Sequence, residues 1–510
     1  MVKVILNKAL GQLVRKPKLM ISPSFALRSV TSKSGLGVYA SSDTLFKGAV
    51  FGRDSLVVAE DLMTLKPALV KRILVTLARL QGLEHRSANE EEPGKIVHEY
   101  RSKVVDGKPL SGKQKEIFVN LSKRWGGDGQ RLVYFGSVDA TPFFIRTLSE
   151  YCHFYGTSIL NQNIKRRDGN LVSMEDVLED SLKWLEDKIS KSKSGLLEYR
   201  AHNDDGIKNQ AWKDSNEFYI HKNGRSVNHE RPVASIEVQG LAYDALIGAS
   251  HLMPERAAEL KKQAFKLRNR TIELLWIGSK KYFALGADYD QNGKLRIIET
   301  TTANPASLLN SGFFDELPEA DKIEYVGDIV RNIMGLDFLT DAGIRSRALS
   351  EDRLIPFWDY HGSYVSWPKE TYDIAKGLRR QGFPELCAQL ENRLLNVVRK
   401  SRGYPEFLYV DARGRVLGSS SRAHRHTHAI QIKSTNVPEN IQAWTVSAVT
   451  AISANRRPGI KVGKYSKSPW QDAVETEVLA HIPIVARFKT SYSLNARYPD
   501  YPYQVTKDIS

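Results

Sequence analysis

The chain has 510 residues, with 74 Lys and Arg against 58 Asp and Glu, which gives a formal net charge of +16. A hydrophobic fraction of 41% and a charged fraction of 26% are typical of globular proteins and exclude a largely disordered or fibrous chain. No apolar run approaches the ~18 residues that span a bilayer, so we expect no membrane-spanning segment. Two cysteines, Cys152 and Cys387, are too few for a disulfide framework or a multi-cysteine zinc site, and we expect a reducing compartment.

The excess of positive charge has two interpretations. A basic surface can attract nucleic acid or anionic lipid. Alternatively, the charge is spread over solvated faces and mainly affects solubility. The sequence contains no basic helix, zinc knuckle or aromatic-flanked RNA-binding signature, so we expect no specific nucleic-acid partner and no membrane partner. The oligomeric state stays open.

The first 42 residues contain no Asp or Glu but seven Lys or Arg. This composition resembles that of an organelle transit peptide. The alternative is a basic amphipathic lead-in to the folded domain, and we favour the lead-in. We accordingly predict a cytoplasmic location, with organelle targeting as the alternative.

Beyond residue 50, apolar residues recur mainly at steps of three and four, the pattern of helices with one buried face. Ser173 followed by Asp176 predicts a helix N-terminal cap. A Gln-Asn-Gly turn at 291–293 predicts a β-hairpin between 282–284 and 295–298. The predicted helices span 56–83, 142–161, 177–189, 238–252, 255–276, 321–335, 371–381, 384–400 and 441–454. The loops 203–232 and 403–440 are long enough to indicate a functional role. We therefore predict an all-α domain with functional loops.

Several carboxylates lie beside aromatic residues in these loops and at helix starts. They are Asp54, Asp139, Asp214, Glu237 and Glu406. Carboxylates can bind sugar hydroxyls, flat rings can pack against pyranoses, and hydrolysis of a glycosidic bond needs one protonated and one ionised carboxyl. For each acid taken alone, we favour a helix cap or a surface ion pair over a role in sugar chemistry. We expect Asp139 to be a helix cap that organises its loop.

Nine sequence blocks follow one another in a characteristic order. They are FGRDS (51–55), PGKIVHEYR (93–101), YFGSVDATPFF (134–144), NQAWKDS (209–215), IEVQGLAYDA (236–245), GIRS (343–346), HGSYVSWP (361–368), GYPEF (403–407) and QAWTVSA (442–448). From about residue 36 to about residue 455, the chain resembles the glucosidase domain of glycogen-debranching enzymes, the amylo-α-1,6-glucosidase family of the six-hairpin glycosidase superfamily. The resemblance implies an all-α, (α/α)6 toroid with small β-hairpin insertions. It also implies a catalytic domain at 43–456, between a lead-in at 1–42 and an extension of unknown role at 457–510.

The resemblance also implies roles for individual residues. Asp214 matches the general acid, which we expect to be held protonated by desolvation and by nearby carboxylates. Glu406 matches the general base, and Glu439 is its rival. The residues implied to bind the sugar are Arg53, Asp54, Trp212, Glu237, Gln239, His361 and Trp367. Trp367 and Trp444 could instead be core aromatics. The sequence Lys369-Glu370-Thr371 departs from the polar trio common in the family and leaves substrate preference open.

The implied function is an inverting α-glucosidase that hydrolyses terminal α-linked glucose from oligosaccharides or branched glucans. It needs no cofactor and no metal ion. One alternative is a hydrolase of another small α-glucoside, such as trehalose or glucosylglycerate. The other is a non-catalytic glycan-binding protein on the same fold.

Overall fold

Helices account for most of the secondary structure in this computed structural model, which describes residues 21–43, 45–355, 359–418, 438–456 and 467–482. The described helices are α1 (Pro23–Val30), α2 (Gly52–Leu62), α3 (Pro67–Arg79), α4 (Gly112–Arg124), α5 (Ala140–Tyr155), α6 (Met174–Lys191), α7 (Ile236–Leu252), α8 (Ala257–Leu275), α9 (Glu319–Ile333), α10 (Pro368–Arg380), α11 (Pro384–Ser401), α12 (Ala443–Asn455) and α13 (Pro469–His481). None of them is long and apolar enough to cross a membrane.

Five helices and one 3-10 helix contact one another in a closed circle. Helix α2 contacts α5, α5 contacts α7, and α7 contacts the 3-10 helix Asn304–Asn310. This 3-10 helix contacts α10, α10 contacts α12, and α12 contacts α2 again. Helices α7 and α12 are apolar on most sides, as expected for helices enclosed by protein.

Each member of this circle also packs against one further helix. The pairs are α2 with α3, α5 with α6, α7 with α8, the 3-10 helix with α9, α10 with α11, and α12 with α1. Helix α1 comes from the segment that we expected to be a lead-in, and the carbonyl of Ile21 just before it accepts a 2.8 Å hydrogen bond from the Tyr404 hydroxyl. Helix α13, from the predicted extension, packs against α9 and α11.

Short strands accompany the helices. They are β1 (Val50–Phe51), β2 (Glu99–Ser102), β3 (Val104–Val105), β4 (Lys108–Pro109), β5 (Arg131–Tyr134), β6 (Asn163–Lys165), β7 (Leu171–Ser173), β8 (Glu198–Tyr199), β9 (Val233–Ser235), β10 (Trp276–Ile277), β11 (Tyr282–Phe283), β12 (Gly286–Tyr289), β13 (Leu295–Ile298), β14 (Leu339–Thr340), β15 (Gly343–Ile344), β16 (Val365–Ser366), β17 (Leu408–Val410) and β18 (Val416–Gly418). The largest described sheet has the order β13-β12-β9-β8. The chain is thus helix-rich with several small antiparallel sheets, more strand than the hairpin insertions that we expected.

Local sequence signals explain where many helices begin. Proline, which lacks an N–H and has a helical φ, occupies the first position of α1, α3, α10, α11 and α13. Ser173 and Asp176 form the predicted capping box at the start of α6.

Two predicted elements were wrong. The helix expected at 56–83 is divided into α2 and α3, because Pro67 begins a new helix. The strand expected at 282–284 does not pair with β13; β11 pairs with β10, and the hairpin around the predicted turn is formed by β12 and β13.

Candidate active site

The N-terminal ends of α2 and α5 are joined by a buried ion pair. Arg53, the second residue of α2, places Nε 2.6 Å from Asp139 Oδ2 and Nη2 3.2 Å from Asp139 Oδ1. Asp139 occupies the N-cap position of α5, as expected, but its side chain bonds Arg53 and caps none of the α5 amides. Gly52 is required beside Arg53, since a Cβ there would lie 2.1 Å from the carbonyl oxygen of Val97.

Arg53 also fixes the loop 209–215. Its Nη2 donates a 3.1 Å hydrogen bond to the carbonyl oxygen of Ala211. Further along the loop, Ser215 donates to Asp359 Oδ1 at 3.0 Å, and the Asn209 amide donates to the Ser215 carbonyl at 2.6 Å. The loop therefore has a defined shape without a helix or strand of its own.

Asp214 projects from this loop toward two hydrogen-bond donors. Its Oδ1 lies 2.7 Å from the Tyr360 hydroxyl and 3.4 Å from His361 Nε2. Burial raises the pKa of Asp214, but the His361 contact, the Arg53 charge and the Tyr360 hydrogen bond outweigh it and bring the pKa to about 2. The expectation of a protonated Asp214 was therefore wrong, because these donors stabilise the ionised carboxylate.

Glu406 has the opposite charge state. Burial, together with the charges of Glu439, Asp54 and Asp214, raises its pKa to about 8, although the Glu439 amide donates a 3.0 Å hydrogen bond to Oε2. At neutral pH the Glu406 carboxyl is thus protonated while that of Asp214 is ionised. The charge of Asp214 is one of the causes that raise the pKa of Glu406, so we place the two carboxyls in one electrostatic neighbourhood.

Asp54 and Glu439 belong to the same neighbourhood. Burial is the main reason that the pKa of Asp54 is raised to about 7, and the charges of Asp214 and Asp139 raise it further. Burial also raises the pKa of Glu439, whose Oε2 accepts a 2.9 Å hydrogen bond from Ser41. The predicted pair of catalytic acids thus lies among two more carboxyls that the sequence singled out.

A cluster of rings surrounds this acidic group. Trp212 makes edge-to-face contacts with Trp367, Trp444 and His361, at centroid distances of 5.2, 5.5 and 5.8 Å. The His361 ring stacks on Trp367 at 4.9 Å, and the Trp367 indole N–H donates to the Tyr360 carbonyl at 2.7 Å. Trp367 is only 2% exposed and Trp444 4%. Both tryptophans are therefore almost completely buried.

The two predicted sugar-binding residues at the start of α7 have different surroundings. Glu237 lines a cavity and accepts hydrogen bonds from the hydroxyls of Ser235 and Tyr219. Gln239 is fully buried; its carbonyl accepts from the Leu197 amide at 2.8 Å and its amide donates to the carbonyls of Leu197 and Ser235, both at 2.9 Å. We therefore leave Gln239 out of the site, since backbone groups occupy its amide.

The cavity is lined by residues of α2, α5, α7, α10 and the 3-10 helix of the circle, together with Asp139, Trp212 and Ser311. Arg53, Trp212, Glu237 and Lys369 line one part of it, and Glu60, Asp61, Arg146 and Lys376 line another. The Lys369 ammonium lies 4.5 Å from the centroid of the Trp212 ring. Of the trio that departs from the family pattern, Lys369 thus faces the cavity, whereas Glu370 bonds Lys213 and Thr371 bonds the amide of Ile344.

Sequence reasoning missed Tyr360 and Lys213, and it named Glu370 only as part of the trio that departs from the family pattern. Tyr360 immediately precedes the block that begins at His361, and Lys213 lies inside NQAWKDS, so the blocks themselves point to both residues. The blocks do not show what these residues contact, because Tyr360 and Asp214 are far apart in sequence. No group of His, Cys, Asp or Glu side chains suited to a metal ion occurs among the residues that the structure describes.

Solved structures show where this fold occurs. A GH63 mannosylglycerate hydrolase from Thermus thermophilus in complex with glucose matches with a TM-score of 0.50 and 12% identity, over 84% of this chain and 99% of that chain. The same hydrolase with Tris and D-glycerate matches with a TM-score of 0.51 and 12% identity, over 84% and 98%. An uncharacterized conserved protein from the same organism matches with a TM-score of 0.52 and 11% identity, over 84% and 99%.

No protein-family model and no curated protein sequence matches the chain. At such low identity, the similarity to solved structures shows the fold alone. The similarity is consistent with the fold that the sequence resemblance implies, whereas the glycogen-debranching family is not confirmed. The chain therefore shares its fold with a GH63 glycosidase.

Proposed function

We propose that the chain is a glycoside hydrolase whose reacting carboxyls are Asp214 and Glu406. One observation carries this proposal: their environments displace the two pKa values in opposite directions, to about 2 and about 8. The pair therefore holds one proton and one negative charge at neutral pH. Hydrolysis of a glycosidic bond requires this division between an acid and a base or nucleophile.

We further propose that the circle of helices with its outer partners is an (α/α)6 toroid. Six inner elements, each paired with one outer helix, account for the six hairpins of that architecture. Because α1 supplies the sixth outer helix, the catalytic domain would begin near Pro23 rather than at residue 43. The candidate site would lie at the end where Arg53 of α2 meets Asp139 before α5.

The substrate class that we favour is a glycoside with terminal α-linked glucose, cleaved with inversion. The ordered blocks support this choice, since the resemblance concerns the part of the site that holds glucose. Arg53, Asp54, Trp212, Glu237, His361 and Trp367 would surround that sugar. Buried indole N–H groups of Trp212 and Trp444 have no hydrogen-bond partner in the described part of the chain, and a sugar oxygen could accept from them after a small rearrangement.

A second candidate substrate is a sugar linked to glycerate. The matching hydrolase is named for mannosylglycerate, and its structures contain glucose or D-glycerate. Such a compound is a small glycoside, as trehalose is, and small α-glucosides were the alternative substrates expected from the sequence. Isomaltose and glucosylglycerate distinguish the two candidates, since they share the terminal glucose and differ in the leaving group.

The roles of the two carboxyls have two possible assignments. The resemblance makes Asp214 the acid and Glu406 the base, which requires the shared proton to be on Asp214 when the bond breaks. The charge states of the two carboxyls favour the reverse, with Glu406 as the acid. Both assignments need the same total number of protons, so the pH dependence of the rate is the same for both.

The dependence on the leaving group separates these assignments. Fluoride leaves without a proton, so an α-glucosyl fluoride needs the base but not the acid. With the roles that the resemblance implies, Asp214→Asn should lose isomaltose hydrolysis but keep fluoride hydrolysis, and Glu406→Gln should lose both. The opposite pattern would reverse the roles, and unchanged turnover in both variants would contradict the proposed function.

A further inference from the structure

The loop that carries Asp214 is tied to α10 through its neighbour, Lys213. The Lys213 side chain is completely buried, and its Nζ lies 2.6 Å from Glu370 Oε1. Glu370 is in the first turn of α10, and its side chain is only 6% exposed. A buried ion pair thus connects a loop without regular structure to a helix of the circle.

The surroundings leave this pair little freedom. The Lys213 ammonium lies 5.3 Å from the centroid of the Phe218 ring, and the second oxygen of Glu370 accepts a 3.3 Å hydrogen bond from Ser346. Desolvation lowers the pKa of Lys213, while the Glu370 contact opposes this change. Removal of one partner would leave the other polar group buried and uncompensated, so the loop would have to move to restore its hydration.

We infer that the Lys213–Glu370 ion pair is a positioning device that holds the Asp214 carboxyl in its working place. The inference rests on the proposed function, because it takes Asp214 as a reacting group. Arg53 and Asp359 hold the loop at Ala211 and Ser215, on either side. Lys213 is the fixed side chain next to Asp214 itself. The departure from the family trio at Glu370 would therefore affect how the loop is placed, whereas Lys369 is the member that faces the cavity.

A kinetic cycle tests whether Glu370 acts through Asp214. Glu370→Gln preserves the shape of the side chain and removes its charge, and a displaced reacting group commonly costs about 100-fold in rate. We expect kcat to fall by about 10- to 100-fold with KM nearly unchanged. In the Asp214→Asn background the same change should cost little more, because the group that it positions has gone. If Glu370→Gln lowered kcat by the same factor in the Asp214→Asn background as in the wild type, the inference would be wrong.

The matched control is Glu391→Gln. Glu391 is also a buried carboxylate, and it pairs with Arg379 and Arg456 away from the loop. We expect this variant to lower the melting temperature while kcat stays close to that of the wild type. An equal loss of kcat in both variants would mean that Glu370 has only a general structural role, and the inference would be wrong.

Hydrogen exchange provides a test that does not depend on activity. Glu370→Gln should speed amide exchange in 209–215, and Glu391→Gln should not. Unchanged exchange in this loop would overturn the inference even if activity were lost. If the wild type hydrolyses no glycoside, the proposed function fails, and the exchange experiment still decides whether Glu370 anchors the loop.

Discussion

Glu406 and Glu439 are joined by two hydrogen bonds, one between their backbones and one from the Glu439 amide to the Glu406 carboxyl. The Glu406 amide donates to the Glu439 carbonyl at 2.9 Å, and the Glu439 amide donates to the Glu406 carboxyl at 3.0 Å. The two candidates for the catalytic base are therefore neighbours, but their side chains have different partners. Glu439 bonds Ser41, whereas the described residues provide Glu406 with a backbone amide alone.

Substitution of each glutamate should separate their roles. We expect Glu406→Gln to lower kcat at least about 100-fold, because it removes a group that takes part in proton transfer. Glu439→Gln keeps the amide that bonds Glu406 and should retain most of the activity. Steady-state kinetics with one hydrolysed glycoside measures both. A greater loss in Glu439→Gln would make Glu439 the reacting group.

The rate should fall in alkaline solution. Loss of the shared proton leaves both carboxyls ionised, so kcat/KM should decline above about pH 8, where Glu406 titrates. Since the Glu439 charge raises the pKa of Glu406, Glu439→Gln should move this decline to lower pH. A pH profile measured at constant ionic strength tests both statements. A flat profile well beyond the pKa of Glu406 would contradict them.

Thermal stability should also decrease as the pH rises toward 8. Folding raises the pKa of Asp54 to about 7 and that of Glu406 to about 8, so the folded chain keeps protons that the unfolded chain has released. Binding of these protons stabilises the folded state, and this stabilisation is lost as the pH rises through the folded-state pKa values. Buried His98 has the opposite effect, but only below its ordinary pKa of 6.5, because folding lowers its pKa to about 3. Calorimetry should therefore give a lower melting temperature at about pH 8 than at about pH 6.5. Asp54→Asn should reduce the difference in melting temperature between the two pH values. A higher melting temperature at the higher pH would refute the explanation.

Helix α13 should stabilise the fold through Glu475. This buried carboxyl accepts hydrogen bonds from the amides of Glu385 and Leu386, at 2.8 and 3.0 Å, at the start of α11. Glu475→Ala would leave two helix amides unpaired, at a cost of about 1–3 kcal/mol. Glu477→Ala is the control, since its ion pair with Arg331 is half-exposed and should contribute at most about 1 kcal/mol. Equal melting temperatures for the two variants would argue against a stabilising role for α13.

The sequence predicted the helical regions better than their boundaries and partners. Apolar spacing indicated most of the helices, and Ser173 with Asp176 identified the start of α6. The sequence could not show that Pro67 begins a separate helix, because a proline is compatible either with a kink in one helix or with the first turn of another. The partner of β11 also depended on tertiary contacts.

At the candidate site, the sequence indicated which residues come together but not what their side chains bond. Asp214, Glu406 and Asp54 lie in one electrostatic neighbourhood, as the ordered blocks suggested. Gln239 lies in the same motif as Glu237, yet it bonds backbone at Leu197. The charge of Asp214 depends on Tyr360 and His361, distant in sequence, so its pKa could not be predicted from the motif.

Anomer-resolved NMR of glycoside hydrolysis tests the central claim most directly. The panel should contain isomaltose, panose, maltose, trehalose, glucosylglycerate, mannosylglycerate and a branched limit dextrin, each with wild type, Asp214→Asn and Glu406→Gln. We predict that the wild type releases β-glucose first from at least one α-glucoside and that both variants lose this reaction. Sugar binding without turnover across the whole panel would contradict the account and favour a glycan-binding protein, and initial release of α-glucose would contradict inversion.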